Sequence, residues 1–192
     1  MGSSQGPDIK DQANIEKARS LGKVIAKNNC ILVNGACPGL PDEAAKAAKE
    51  NGGFCLGISP AFSLKAHKEK YLSPAENYDL LLFTGMGLME RDIINIRSSE
   101  GIIIVGGGVG TLNEFIVAYD EGKPVGVLTG SGGISTHIPE ILSFANRKVT
   151  DQIIFESDPE IMVQKLLEQI KNNKNAIVED QRVINHDFKP FD

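Results

Sequence analysis

The sequence predicts a three-layer α/β fold, in which a doubly wound, mostly parallel sheet carries helices on both faces. Two observations lead there. Short, almost wholly apolar runs such as Ile102-Ile103-Ile104-Val105 recur along the chain, which is how strands buried on both faces read. Between them lie segments whose apolar residues fall at three- and four-residue spacing, the stripe of an amphipathic helix. Strands alternating with helices in this manner build the Rossmann-like arrangement.

In chain order, 11–28 is a helix, with Ile15, Ala18, Leu21, Gly22 and Ile25 on one stripe and Asn28-Asn29 as its stop. The run 30–33 is a strand ending at Asn34-Gly35. The next helix begins near Pro41, which suits a first turn because its missing N–H would be unpaired there, and Asp42 and Glu43 suit the positive helix end. Strands follow at 54–59 and 80–84, a helix at 89–99, a strand at 102–105, a helix at 111–121 and a strand at 125–128. After the loop 130–133 come a short helix over 139–147, a strand over 152–155 and a helix from Pro159, capped by Asp158, to about 172. Residues 1–172 thus read as one domain and 173–192 as a polar tail. Two stretches break the rhythm. The connection 60–77 is long and polar and holds His67 and Tyr71; residues 2–6 read as a loop leaving a strand.

Composition narrows the function. With 20 Lys+Arg against 25 Asp+Glu, the net charge of −5 provides no field for nucleic acid or an anionic membrane, so neither is an expected partner. An anionic ligand must be held by local groups. Cys30, Cys37 and Cys55 make no C-x-x-C pair and read as free thiols, and His67 and His137 lack metal-ligand spacing, so no metal and no resident cofactor are expected. No apolar run approaches the ~20 residues that span a bilayer, and no secretory pattern opens the chain. A soluble, cytoplasmic protein is the expectation.

The chemistry concentrates in Gly106-Gly-Gly-Val-Gly-Thr-Leu-Asn-Glu114, where a buried strand opens through glycines into a helix. The first N–H groups of a helix lack intrahelical partners and carry the positive end of its dipole, and glycines let phosphate oxygens approach. Neither G-x-G-x-x-G nor a Walker loop is present. Glu114, three residues after Thr111, either faces the ligand or closes a capping box back onto the turn. Upstream, Gly85-Met-Gly-Leu-Met-Glu-Arg91 forms a second loop-to-helix junction, with Arg97 six residues beyond Arg91; one arginine can serve the ligand while the other pairs structurally. A third such junction is Asn34-Gly-Ala-Cys-Pro-Gly-Leu-Pro41.

These residues resemble the Lonely Guy (LOG) family, whose members were once described as possible lysine decarboxylases. Its P-G-G-x-G-T-x-x-E pattern is matched by Gly107, Gly108, Val109, Gly110, Thr111 and Glu114, with Gly106 where proline is usual. Its M-x-x-R-K element is similar to Leu88-Met89-Glu90-Arg91-Asp92, with aspartate in place of lysine. Gly106 makes the chain resemble the molybdenum-cofactor carrier branch of the superfamily. The family's first strand would precede Gly2. The resemblance implies a homodimeric nucleoside 5′-monophosphate phosphoribohydrolase, with Arg91 and Glu114 as the catalytic pair and Gly107–Thr111 on the phosphate. Ser3, Gly35, Gly39, Met89 and Arg97 complete the implied nucleotide site. The other function the residues allow is a non-catalytic carrier of a nucleotide or of molybdopterin. Amino-acid decarboxylation is not expected, because no motif for a pyridoxal-bearing lysine stands out.

Overall fold

The computed structural model describes the backbone of residues 1–184 and the side chains of residues 1–173. Strands β1 (Leu32–Asn34), β2 (Cys55–Ser59) and β3 (Leu80–Phe83) form one parallel sheet in that order, and β4 (Ile102–Val105), β5 (Val125–Leu128) and β6 (Ile153–Glu156) form a second. The helices are α1 (Gln12–Lys27), α2 (Leu40–Glu50), α3 (Leu64–Glu69), α4 (Leu88–Arg97), α5 (Val109–Asp120), α6 (Ile138–Phe144) and α7 (Pro159–Ile184). All strand pairs are parallel. The fold is therefore the layered α/β arrangement the periodicity predicts, with one difference. The expected single sheet is two half-sheets, because no ladder joins β1 to β4 among the described residues.

The chain start lies at this seam. Gly2 bridges Val105 in parallel; the Met1 amine donates to the Ile103 carbonyl at 2.6 Å, and the Val105 N–H donates to the Met1 carbonyl at 2.9 Å. Residues 1–3 thus continue the second half-sheet, where the sequence reads as loop. Beside them an apolar cleft of about 540 Å³ separates the halves, lined by Leu32 and Val33 on one side, Ile103 on the other, and Leu21, Val163 and Leu166 from the helices.

Both faces are packed. Phe115, Ile96 and Ile138 cover β4 and β5 on one side; Leu21, Leu40, Val105, Leu128 and Met162 form the core on the other. Helices α1 and α2 touch so closely that a Cβ on Gly22 would meet the Ala44 carbonyl oxygen, which explains the small residues Ala44, Ala45, Ala47 and Ala48 buried along α2. The 60–77 connection contains α3, which sequence reasoning did not anticipate. Ser63 caps it through the Ala66 N–H. Its anchor is His67, fully buried, with Nδ1 2.8 Å from Ser59 Oγ and Nε2 2.8 Å from the Pro74 carbonyl. A carbonyl only accepts, so Nε2 carries the proton and Nδ1 accepts from the serine. Helix α7 continues past the expected end near 172 to Ile184; residues 185–192 of the expected tail lie outside the described residues.

Candidate functional site

The glycine loop is clamped from behind. Gly106 and Gly107 have φ of 59° and 102°, which side-chain-bearing residues rarely adopt. The Gly106 N–H donates to Ser131 Oγ (2.8 Å) and the Gly107 N–H to Ser3 Oγ (2.6 Å), while Ser3 Oγ donates to Asp8 (2.7 Å). The carbonyls of the same two glycines accept from Ser135 and Ile134. With those groups engaged, the N–H groups of Gly108, Val109, Gly110 and Thr111 find no acceptor among the described residues. They open the first turn of α5, and a Cβ on Gly108 or Gly110 would meet nothing within 4 Å. Four unpaired donors at a positive helix end, three of them on the exposed residues 108–110, can cradle an anion. Helix α5 begins two residues earlier than the sequence suggests, so more of the glycine segment belongs to its first turn.

One turn further into α5 stands Glu114, 7% exposed. It does not close a capping box: the N-cap is Gly108, without a side-chain bond. Its Oε1 lies 3.6 Å from Arg91 Nη1 and accepts from Asn95 Nδ2 at 3.4 Å. Arg91 is itself 5% exposed. Its Nη1 is 2.8 Å from Asp92 Oδ1, an ion-pair contact outside hydrogen-bond angles, and its Nε and Nη1 make no hydrogen bond among the described residues. Nη2 donates to Cys37 Sγ at 3.3 Å. The guanidinium lies on the backbone of Gly35, where any Cβ would collide with it. Asp92 in turn accepts from Asn113 at 3.1 Å. A buried guanidinium with unsatisfied donors is under-coordinated in the way a binding site is.

Burial governs the ionisation here. Loss of solvent pushes the Glu114 carboxyl up to about 7, aided by Asp92 and opposed by the Met1 amine, Arg91 and Asn95. Burial likewise raises Asp92, against the pull of Arg91 and Asn113, and raises the Cys37 thiol, keeping it protonated. The cluster therefore offers a carboxyl able to exchange its proton near neutrality beside a fixed cation, next to an anion cradle.

Of the residues singled out from sequence, the structure brings Arg91, Glu114, Gly35 and 107–111 together. Ser3 is present, but its hydroxyl braces the loop. Gly39, with φ of 83°, turns the chain into α2 against the Ser3 carbonyl. Met89 is 43% exposed on another face of α4, and Arg97 pairs with Glu121 at the far end of that helix, away from the cluster. Sequence reasoning did not assign Asn95, Asn113, Asp8 or Ser131. Asn95 was within reach of it, since it stands four residues after Arg91 and so shares its helix face. Among the described residues no group of three or more His, Cys, Asp and Glu is arranged to hold a metal, and no helix is long and apolar enough to cross a membrane.

The chain is similar to several known proteins. The chain is 27% identical, over 84% of its length and 69% of the relative's, to a probable cytokinin riboside 5′-monophosphate phosphoribohydrolase of Oryza sativa subsp. japonica. The molybdenum cofactor carrier protein of Chlamydomonas reinhardtii superposes with a TM-score of 0.68 at 28% identity, covering 90% of this chain and 96% of that one. The X-ray structure of TM1055 shares the fold with a TM-score of 0.72 at 23% identity, over 88% of this chain and 96% of that one. The model of the SLOG cluster4 family matches residues 1–163, and with the glycine cradle and the Arg91–Glu114 pair in place the chain belongs to that LOG-related family of Rossmann-like proteins.

Proposed function

We propose that this protein is a phosphoribohydrolase acting on a nucleoside 5′-monophosphate, releasing the free base and ribose 5-phosphate. The observation that carries the reading is the buried Arg91–Glu114 contact of 3.6 Å one helical turn below four unpaired N–H groups. The phosphate docks on 108–111, which brings the ribose over Glu114. As the C1′–N bond breaks, its electron pair goes to the base nitrogen and positive charge develops on the sugar. The Glu114 carboxylate stabilises that charge and takes a proton from the attacking water, whose oxygen bonds to C1′. A carboxyl poised near 7 then returns the proton to the departing base. Arg91 orients the sugar with its free donors.

The second reading is a carrier that holds a nucleotide or molybdopterin without turnover. It is favoured by Asp92, whose carboxylate 2.8 Å from Arg91 neutralises the guanidinium, and by the likeness to the Chlamydomonas carrier. In either reading we propose a cytoplasmic homodimer. Met89, Ile93, Val109 and Ile116, each 40% exposed or more, lie on the outward side of α4 and α5, an apolar face of the kind a second copy covers.

The test is to incubate wild type and Glu114→Gln with a panel of nucleoside 5′-monophosphates, following free base by chromatography and binding by calorimetry. Base release by wild type, lost in Glu114→Gln with binding retained, supports the hydrolase. Tight binding without release in both overturns it in favour of the carrier.

A further inference from the structure

We infer that Asp8 is a positioning residue of the anion site: through the Ser3 hydroxyl it fixes the turn of the glycine loop, so that the Gly108 N–H faces the ligand. The inference rests on the anion cradle assigned above and names what sets its aim. A trans peptide points its C=O and N–H in opposite directions. In the Gly106–Gly107 peptide both ends are held, the carbonyl by the Ser135 N–H at 3.2 Å and the N–H by Ser3 Oγ at 2.6 Å. The carbonyl of the next peptide, Gly107–Gly108, accepts from the Ile134 N–H at 2.8 Å, which turns its own N–H the other way. That way is open: Gly108 is exposed, and a Cβ on it would meet nothing within 4 Å. The first donor of the cradle is therefore aimed by the bonds behind it.

Ser3 is buried, and its hydroxyl has one proton to place. To keep a lone pair on the Gly107 N–H it must send that proton elsewhere, and Asp8 Oδ2 accepts it at 2.7 Å. A bond to a carboxylate is strong, and it makes the hydroxyl oxygen a better acceptor in turn. Asp8 opens a single 3₁₀ turn, Asp8–Lys10, and its side chain presses on glycine backbone from two loops. A Cβ on Gly106 would lie 3.1 Å from Oδ2, one on Gly133 2.7 Å from the same oxygen, and one on Gly132 2.7 Å from Oδ1. A Cβ on Gly133 would also strike the Gly107 carbonyl oxygen, so the loop bearing Ile134 and Ser135 closes tightly on the glycine loop, with the carboxylate at the join. A negative charge behind an anion site repels the anion. What Asp8 contributes is thus an acceptor in a fixed place, and an uncharged acceptor of the same shape should serve as well.

Nitrogen-15 NMR with inorganic phosphate and with ribose 5-phosphate tests this, following the Gly108 amide in wild type, Asp8→Ala, Asp8→Asn and Ser3→Ala. Asp11→Ala is the control: the Asp11 carboxylate accepts from the Ala13 N–H at the start of α1, so its loss costs stability without touching the loop. In wild type either probe should shift the Gly108 amide. Affinity for both should fall about fivefold or more in Asp8→Ala and in Ser3→Ala, the cost of leaving the buried Gly107 N–H poorly paired. Asp8→Asn keeps an oxygen for the Ser3 proton and should restore the affinity, while Asp11→Ala should bind as wild type at a lower Tm. Wild-type affinity in Asp8→Ala overturns the inference. So does an affinity in Asp8→Asn as low as in Asp8→Ala, which would assign the effect to charge, and so do equal losses in Asp8→Ala and Asp11→Ala, which would assign it to stability. If neither probe binds wild type, the anion site itself falls, and hydrogen exchange at the Gly107 amide decides the brace. Faster exchange in Asp8→Ala, restored in Asp8→Asn, sustains it; equal exchange in all three overturns it.

Discussion

Replacing Glu114 by glutamine should stabilise the protein by an amount that grows as pH rises from about 4.5 to about 7 and is constant above. The carboxyl is 7% exposed and its folded value is pushed up to about 7 from an ordinary 4.5. Between those values the folded state holds the proton that the unfolded state has released, so stability falls as pH rises through the window and is fully lost above the folded value. The full difference, at about 1.36 kcal/mol per unit, comes to roughly 3 kcal/mol. Glutamine has nearly the shape of the protonated acid and no charge to desolvate. At roughly pH 4.5 it should therefore match wild type to within about 0.5 kcal/mol, and at roughly pH 8.5 it should gain on the order of 3 kcal/mol. For a chain of this size that is a rise in Tm on the order of 6–12 °C. Thermal melts followed by circular dichroism at the two pH values measure it directly. A Tm difference that is the same at both would refute the reasoning, because it would place the cost of Glu114 in packing and not in its charge.

Two further outcomes follow from the same geometry. Gly35→Ala would put a methyl group where the Arg91 guanidinium lies; the arginine must move, and affinity for a nucleoside monophosphate should drop by tenfold or more, on the order of one charge-assisted hydrogen bond, in calorimetry with the fold intact by circular dichroism. Ile93→Lys combined with Ile116→Lys places two charges on the outward face of α4 and α5, where those isoleucines are 40% and 50% exposed. Sedimentation should then show a monomer where wild type is a dimer, and an unaltered dimer would remove this face as the contact.

How far the sequence reveals the molecule depends on whether its signals are local. The bounds of β4 and β5 follow from continuous apolar runs, and Pro41 marks the start of α2 to within a residue. The start of α5 was read two residues late because Val109 and Gly110 are poor helix formers, whose place in the turn is fixed by the clamped loop before them. Helix α3 was not legible: it is six residues long and its anchor, His67, points into the fold where a lone histidine gives no periodicity. The Arg91–Glu114 pair is named by the family resemblance, while its setting leaves no mark in the sequence. Ser131 reaches the loop from 25 residues away and Asp8 through Ser3, 104 residues from Gly107, and contacts at such separation leave no local pattern. The face of Leu80 and Leu82 on β3, about half exposed, breaks the rule that parallel strands are buried on both sides.

Among the described residues the two half-sheets are held to each other by helices and not by a strand ladder. A continuous sheet shares load across its ladder of backbone bonds, whereas here the two halves share side-chain packing and the helices laid across it. Helix α1 acts as the rivet: it lies against α2 of the first half at Gly22 and joins Met162 and Val163 of α7 in the core of the second. Its packing therefore spans the two half-sheets, which no ladder joins among the described residues. Gly35 follows β1 in one half and the glycine cradle follows β4 in the other, so a ligand reaching both would join the two half-sheets.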